Sequence, residues 1–330
     1  MYFLNRMKRP LKTYLLIINP NSGQGKYKKH LEIIKKYFLR NNVNLDICFT
    51  EYKGHATEIA KEASCSDKYS VIIGAGGDGT INEVLTGMID SNKTMAILPW
   101  GTGNVFAREM NIPFNPKKAC KLILKNKSIK IDIAKCNNNY FFLMCSCGFD
   151  AYSIKHTEEL KIKKIFGKIS YIIGGLKAFA RYKFPEIEVE LDNGIKDKGT
   201  YVLVSNTSKY AIYFSITPYA IPFDGLLDVY IFKETGKFNF FKLLGQLIIS
   251  AFVRDPKKRN TIFLRKEAFY RSKSIIISSK EKVITQIDGD LYENLPLNIQ
   301  IIPQALNFIL PAKIVKKYRK YMEKYDFKKT

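Results

Sequence analysis

Apolar residues come along this chain in short runs that stop at polar or glycine-rich breaks, and after each break the spacing turns helical. Residues 14–18 (YLLII) read as a buried strand that ends at Asn19, Pro20, Asn21, Ser22 and Gly23, with a helical pattern over 27–39 behind them. A second strand, 45–49, stops at Thr50 and is followed by a helix over 56–63. The third, 71–73, opens into Gly74, Gly76, Gly77 and Gly79 around a single Asp78, and helical spacing starts again at Thr80. The fourth, 95–98, runs into Pro99, Trp100, Gly101, Thr102, Gly103 and Asn104 and then a helix over 105–110, with one more over 116–124. Strands alternating with helices predict a parallel sheet, and the loops at the carboxyl ends of such strands are where these sheets hold ligands.

From Lys130 the pattern changes. Alternating or continuous β runs follow one another (IKIDIAKC, YFFLMCSCGF, EIEVEL, YVLVSN, LLDVYIF, SIIISS, KVITQI, NIQII), separated by turns such as NNN, DNG and DGD. They predict a mostly antiparallel second domain. Helical patterns interrupt it at about 158–182 and 238–252, and a last helix over 311–324 is expected to pack back on the first domain. The division is therefore an α/β domain over 1–130 and a β-sandwich over 131–310. The chain has 330 residues, which fits two domains better than one.

Charge adds a partner. Lys and Arg outnumber Asp and Glu by 54 to 30, a net +24, which implies an anionic surface or ligand. No recognised nucleic-acid module accompanies the charge, so nucleic acid is not expected. Between 156 and 183, Lys161, Lys163, Lys164 and Lys168 are mixed with Ile, Phe and Tyr. Near an anionic bilayer each would contribute on the order of 1 kcal/mol; the plainer alternative is one solvated basic helix face. The apolar segment 238–253 is broken by Asn239, Lys242 and Gln246, so it reads as an amphipathic helix rather than a membrane span. The N-terminus lacks the apolar core of a signal peptide, and six scattered cysteines without CxxC spacing read as reduced core thiols, favouring neither zinc nor disulfides. The expected place is the cytoplasm, peripheral at the inner face of the membrane.

With NPNSG, GGDGTINEV, GTGN and a late DGD in one order, the chain resembles the diacylglycerol kinase catalytic-domain family, specifically the bacterial soluble lipid kinases. GGDGT alone is also similar to a motif of NAD kinases and phosphofructokinases. The resemblance implies a nucleotide-binding α/β domain of that kind, a β-sandwich lipid-substrate domain, ATP and Mg²⁺, and phosphorylation of a lipid hydroxyl. It places nucleotide contacts at Asn19, Pro20, Asn21, Ser22, Gly23, Thr50, Gly76, Gly77, Asp78, Gly79, Thr80, Ile81, Asn82, Glu83 and Thr102. The physical reading agrees with most of this. Backbone amides of Gly76, Gly77 and Gly79 can approach phosphate oxygens that a Cβ would block, and the hydroxyls of Ser22, Thr50, Thr80 and Thr102 can donate to them. Asp78 would repel a bare phosphate, so its expected role is to hold Mg²⁺ directly or through water. Asn82 and Glu83 read equally as capping or solvated side chains. Trp100 is expected to pack, and His30, His55 and His156 have no nucleophile beside them.

A lipid hydroxyl needs a carboxylate near its attacking oxygen. Asp288 and Asp290, two apart around Gly289, are the candidates, expected on one side of a strand end. By resemblance the family's carboxylate falls on Asp290, where it has Glu; Asp is one methylene shorter, and which of the two is the base stays open. Asp224, with the carbonyls of Ile221 and Leu226, resembles the family's structural magnesium site, and a plain Asp-Gly turn explains the same residues. The expected reaction carries the γ-phosphate of ATP to diacylglycerol. Ceramide, a sphingoid base or another lipid alcohol is the near alternative acceptor; NAD kinase and a non-catalytic membrane adaptor are the distant ones. A homodimer is among the assemblies expected.

Overall fold

A computed structural model describes residues 12–25, 27–125, 127–159, 179, 181–210, 214–239, 241, 242, 245 and 269–324. Lys161, Lys163, Lys164 and Lys168, most of the helical pattern over 158–182 and most of that over 238–252 lie outside these residues. Among the described residues no helix is long and apolar enough to cross a membrane. The chain divides into two units, residues 1–130 with 306–330, and residues 131–305.

The first unit follows the strand–helix alternation. Its elements are β1 (Lys12–Ile18), α1 (Tyr27–Arg40), β2 (Val43–Phe49), α2 (His55–Cys65), β3 (Tyr69–Gly76), α3 (Asp78–Met88), β4 (Thr94–Pro99), α4 (Val105–Glu109) and α5 (Pro116–Leu124). β1 pairs parallel with β2 and β3, and β3 with β4. Helices cover both faces, which is why five consecutive residues of β1 are buried instead of alternating. Leu31, Ile34 and Phe38 of α1 sit three and four apart, and all three are buried. α2 buries Ala56, Ala60 and Ala63, and Gly87 of α3 lies so close that a Cβ there would meet Thr57 O at 2.3 Å. Small residues on both helices permit that approach. α5 starts with Asn115 accepting the Lys118 N–H at 3.1 Å and Pro116 in the first turn.

The second unit is two sheets. Its elements are β5 (Ser128–Cys136), β6 (Asn139–Phe141), β7 (Met144–Cys147), α6 (Phe149–Glu159), β8 (Ile187–Leu191), β9 (Lys196–Gly199), β10 (Tyr201–Ser205), β11 (Leu227–Phe232), β12 (Phe269–Ser272), β13 (Ser274–Ser278), β14 (Ile284–Ile287), β15 (Asp290–Asn294) and β16 (Leu297–Ile309). One antiparallel sheet runs β12-β11-β10-β7-β14-β15. In the other, β16 pairs with β13, β13 with β8 and β8 with β9, all antiparallel. Their inner faces share one core, with Cys145, Val202, Val229 and Ile287 from the first against Val189, Ile275, Ile299 and Cys136 from the second. Four cysteines are buried, but Cys65 is exposed and Cys48 half-buried, so the core-thiol expectation holds for four of the six.

The last two residues of β16's pairing belong to the first unit: Asn307 and Phe308 lie parallel to Thr94 and Met95. The closing helix α7 (Ala312–Lys324) follows, and its Tyr318 hydroxyl donates to Glu109 of α4 at 3.0 Å. The fold is thus an N-terminal α/β unit with a mostly parallel sheet and a mostly antiparallel β unit after it. The glycine stretch differs from its expectation in one respect. β3 continues through Gly74 and Gly76, and α3 already begins at Asp78, so only Gly77 separates strand from helix.

Candidate active site

Three loops of the first unit leave β1, β3 and β4 at their carboxyl ends and hydrogen-bond to one another. Asn19 donates its backbone N–H to Ala75 O and its side-chain amide to Thr80 Oγ1, each at 3.0 Å, while its Oδ1 accepts the Asn21 N–H at 2.9 Å. Trp100 and Gly101 donate their N–H groups to Gly76 O at 2.9 and 3.0 Å. Glycine is required where these loops touch. A Cβ on Gly76 would lie 2.6 Å from Thr80, one on Gly101 would lie 2.3 Å from the Gly77 Cα, and one on Gly23, which is at φ +68°, would lie 2.4 Å from the Trp100 carbonyl oxygen. Gly76 and Gly101 are therefore packing glycines. A Cβ on Gly79 would meet nothing within 4 Å, so this exposed first-turn position is the one left open for a ligand.

The first amides of α3 have no intrahelical acceptor and carry the positive end of the helix dipole. The Thr80 hydroxyl is buried against Asn19, Thr50 is 8% exposed with its N–H on Ile18 O, and Thr102 is exposed. Pro20 and Ser22 are half-buried and Asn21 is exposed. Ile81 brings no polar group: its N–H donates to Gly77 O, and its side chain packs under Gly74. Trp100 packs in the unit's core, 7% exposed, its ring 5.8 Å from that of His30.

Asp78 is an N-terminal cap supplied from a distance. Its Oδ2 accepts the Val105 N–H at 3.0 Å and its Oδ1 the Phe106 N–H at 3.4 Å, the first turn of α4, whose own cap residue Asn104 is left-handed and makes no side-chain cap. Burial pushes the Asp78 carboxyl above the usual carboxylate range, and those amides pull it back. Gly103 leaves Oδ2 approachable, since a Cβ there would stand 3.2 Å away. A half-buried carboxylate whose Oδ2 has no Cβ over it at Gly103 fits a hydrated magnesium. Glu83 caps likewise: Oε2 accepts the Ala56 N–H at 3.3 Å at the start of α2, where Gly54 has no side chain to do so. Asn82 Oδ1 lies 3.4 Å from the Thr86 hydroxyl, one turn along the same helix. Asn104 had no role in the sequence reading, yet it closes the GTGN loop on itself, its Oδ1 accepting the Gly101 N–H at 3.0 Å and its Nδ2 donating to Gly101 O at 2.5 Å.

In the second unit, Asp288 and Gly289 form the two-residue turn between β14 and β15, at φ +51° and +94°. Asp288 lies in the turn and Asp290 is the first residue of β15, so the two do not sit side by side on one strand. Asp288 accepts three backbone N–H groups, from Leu143 at 2.9 Å, Met144 at 3.0 Å and Phe142 at 3.1 Å. Asp290 stands exposed at the head of β15. Behind the turn, Gln286 accepts the Gly289 N–H at 2.7 Å and donates to Ser146 Oγ at 2.7 Å.

The expected metal loop is arranged differently. Ile221 O already accepts the Phe223 N–H at 2.8 Å, Asp224 Oδ1 accepts the Leu226 N–H at 3.1 Å, and the Arg271 guanidinium donates to Asp224 Oδ2. Arg271 comes from β12, 47 residues on, where no local spacing signals it. Ile221, Asp224 and Leu226 therefore do not fit the magnesium ion expected of them, because a protein cation balances the carboxylate. Asp228 faces the same guanidinium, Oδ2 at 3.5 Å from Nε, and burial pushes its carboxyl up to about 7 against the pull of Arg271. Asp132 lies beside them, accepting the Gly225 and Gln304 N–H groups at 2.7 Å each.

Residues 13–136 match the family described as "Diacylglycerol kinase catalytic domain", and residues 144–310 match "YegS C-terminal NAD kinase beta sandwich-like domain". The chain is 26% identical over 305 residues to a diacylglycerol kinase of Bacillus subtilis, covering 91% of this chain and 97% of that one. It is 27% identical over 303 residues to a diacylglycerol kinase of Staphylococcus aureus, covering 91% and 93%. A crystal structure of a diacylglycerol kinase from Bacillus anthracis superposes with a TM-score of 0.72 at 28% identity, over 93% of this chain and all of that one.

Proposed function

The chain belongs to the diacylglycerol kinase catalytic-domain family and is a lipid kinase, and we propose that it moves the γ-phosphate of ATP to the hydroxyl of diacylglycerol, making phosphatidic acid. The observation that carries this is the knitting of the NPNSG, GGDGT and GTGN loops into one face around the start of α3, with Gly79 left uncovered. Amides and hydroxyls of that face take phosphate oxygens, with Asn19, Ser22, Thr80 and Thr102 as the side chains concerned. Mg²⁺, held at the nucleotide with Asp78 as its protein carboxylate, would offset charge on the phosphates.

Asp290 is the base and Asp288 its anchor. The hydroxyl proton passes to the Asp290 carboxylate as the lipid oxygen bonds to the γ-phosphorus and the bond to the β-bridging oxygen breaks, releasing ADP. Asp288 is unsuited to that task because its oxygens already accept three amides. The lipid is met at an anionic membrane surface, with the protein peripheral on the cytoplasmic side; the +24 charge supports this.

Purified protein with labelled ATP, Mg²⁺ and a panel of acceptors in mixed micelles tests the assignment. Label is expected in phosphatidic acid, lost with Asp78→Asn or Asp290→Asn. Label in ceramide or a sphingoid base instead would replace the acceptor, and formation of NADP from NAD would replace the class. Co-sedimentation with vesicles should depend on anionic lipid and weaken with salt.

A further inference from the structure

A one-directional chain of hydrogen bonds runs from the DGD turn into the interior of the second unit. The Gly289 N–H donates to Gln286 Oε1 at 2.7 Å, and Gln286 Nε2 donates to Ser146 Oγ at 2.7 Å. The Ser146 hydroxyl, accepting from Gln286, donates its own proton to Asp150 Oδ2 at 2.5 Å. Asp150 also accepts the Ala151 N–H at 2.7 Å and the Tyr210 hydroxyl at 3.1 Å. Gln286 is 2% exposed and Ser146 0%, and they face each other in the register of β14 and β7.

This pattern has only one chemistry at its centre. Position 286 must accept on one side and donate on the other, which a carboxamide does and a carboxylate or hydrocarbon does not. Every link is otherwise satisfied, so the network is rigid, and buried networks of this kind strengthen along their length. It holds the turn at Gly289, while the three amides on Asp288 hold it from the opposite side. Between them the backbone entering Asp290 is fixed at two points.

We propose that Gln286, backed by Ser146 and Asp150, is a positioning residue that sets where the Asp290 carboxylate stands for proton transfer. The proposal rests on Asp290 being the base. Gln286 touches no reacting atom. It acts through the turn, and a displaced base costs rate rather than nucleotide affinity, because misplacement of about 1 Å lowers a rate by about 10²-fold.

The full-length protein carrying Gln286→Met or Asp290→Asn is assayed for phosphatidic acid formation, with thermal melts alongside. Gln286→Met should lower kcat by about 10²-fold while KM for ATP stays within about threefold. Gln286→Glu supplies a readout that packing alone does not move. Its carboxyl, when protonated beside Asp150, again donates and accepts, so its rate relative to the parent should recover as pH falls from 8 to 6, and this variant decides if the Met variant melts without cooperativity. A kcat within threefold of the parent for Gln286→Met, or a pH-independent Gln286→Glu, overturns the proposal while Asp290→Asn remains inactive. Full activity of Asp290→Asn instead removes the base assignment, and this inference with it.

Discussion

Asp288 Oδ1 accepts the backbone N–H of Leu143 at 2.9 Å across 145 residues of chain, tying the β14–β15 turn to the start of β7. The neighbouring amides of Phe142 and Met144 complete the set. A motif of two carboxylates thus separates into one that organises backbone and one presented at the surface.

That separation predicts opposite phenotypes. Asp288→Ala removes three charge-assisted acceptors and should cost about 3 kcal/mol of stability in urea titration, with activity falling as a consequence. Asp290→Asn, at an exposed position, should change stability by less than about 0.5 kcal/mol and abolish transfer. Equal loss of stability in both variants would contradict the division of roles.

Gly79→Ala separates ligand access from packing. Nothing stands within 4 Å of a Cβ there, and Ala is the better helix former, so the melting temperature should hold or rise. KM for ATP should rise at least about tenfold if the amide approaches phosphate. Gly101→Ala should instead fail in the melt, because its Cβ would lie 2.3 Å from the Gly77 Cα.

Glu83→Ala should weaken α2 through a bond made from another helix. Its Oε2 is the acceptor for the Ala56 N–H, and loss of such a cap costs about 1 kcal/mol. Hydrogen exchange at the first turn of α2 should accelerate before exchange elsewhere in the unit.

Asp228 makes stability depend on pH in a fixed direction. Its folded carboxyl is pushed up to about 7, above the ordinary value near 4, so between those values the folded state holds the proton more tightly than the unfolded chain. The contribution is present at low pH and is lost as pH rises through about 7. Urea titrations at pH 5 and pH 8 should therefore show a smaller difference for Asp228→Asn than for the parent.

Much of the fold was legible along the chain. The runs 14–18, 45–49, 71–73 and 95–98 located β1 to β4, and in the central strands nothing needs to alternate, since both faces of such a sheet are covered. The start of α6 was missed because Phe149 continues an apolar stretch that reads as strand, while the chain turns at Gly148, at φ +120°. Asn104 and Gln286 sat inside motifs already singled out, GTGN and QIDGD, yet a single side-chain amide, in a loop or at a strand end, has no periodicity to mark what it bonds.

The amino-acid order by itself determined the alternation of elements, the glycine-rich strand ends and the pair of late carboxylates, because these depend on residue type and near-neighbour spacing. Tertiary structure alone decided how each carboxylate is used. Asp78 caps α4 from 27 residues away, Arg271 crosses 47 residues to Asp224, and Asp288 reaches back to Leu143. A carboxylate's role is set by the donors that surround it once it is buried, and those donors come from strands and helices that only folding brings together.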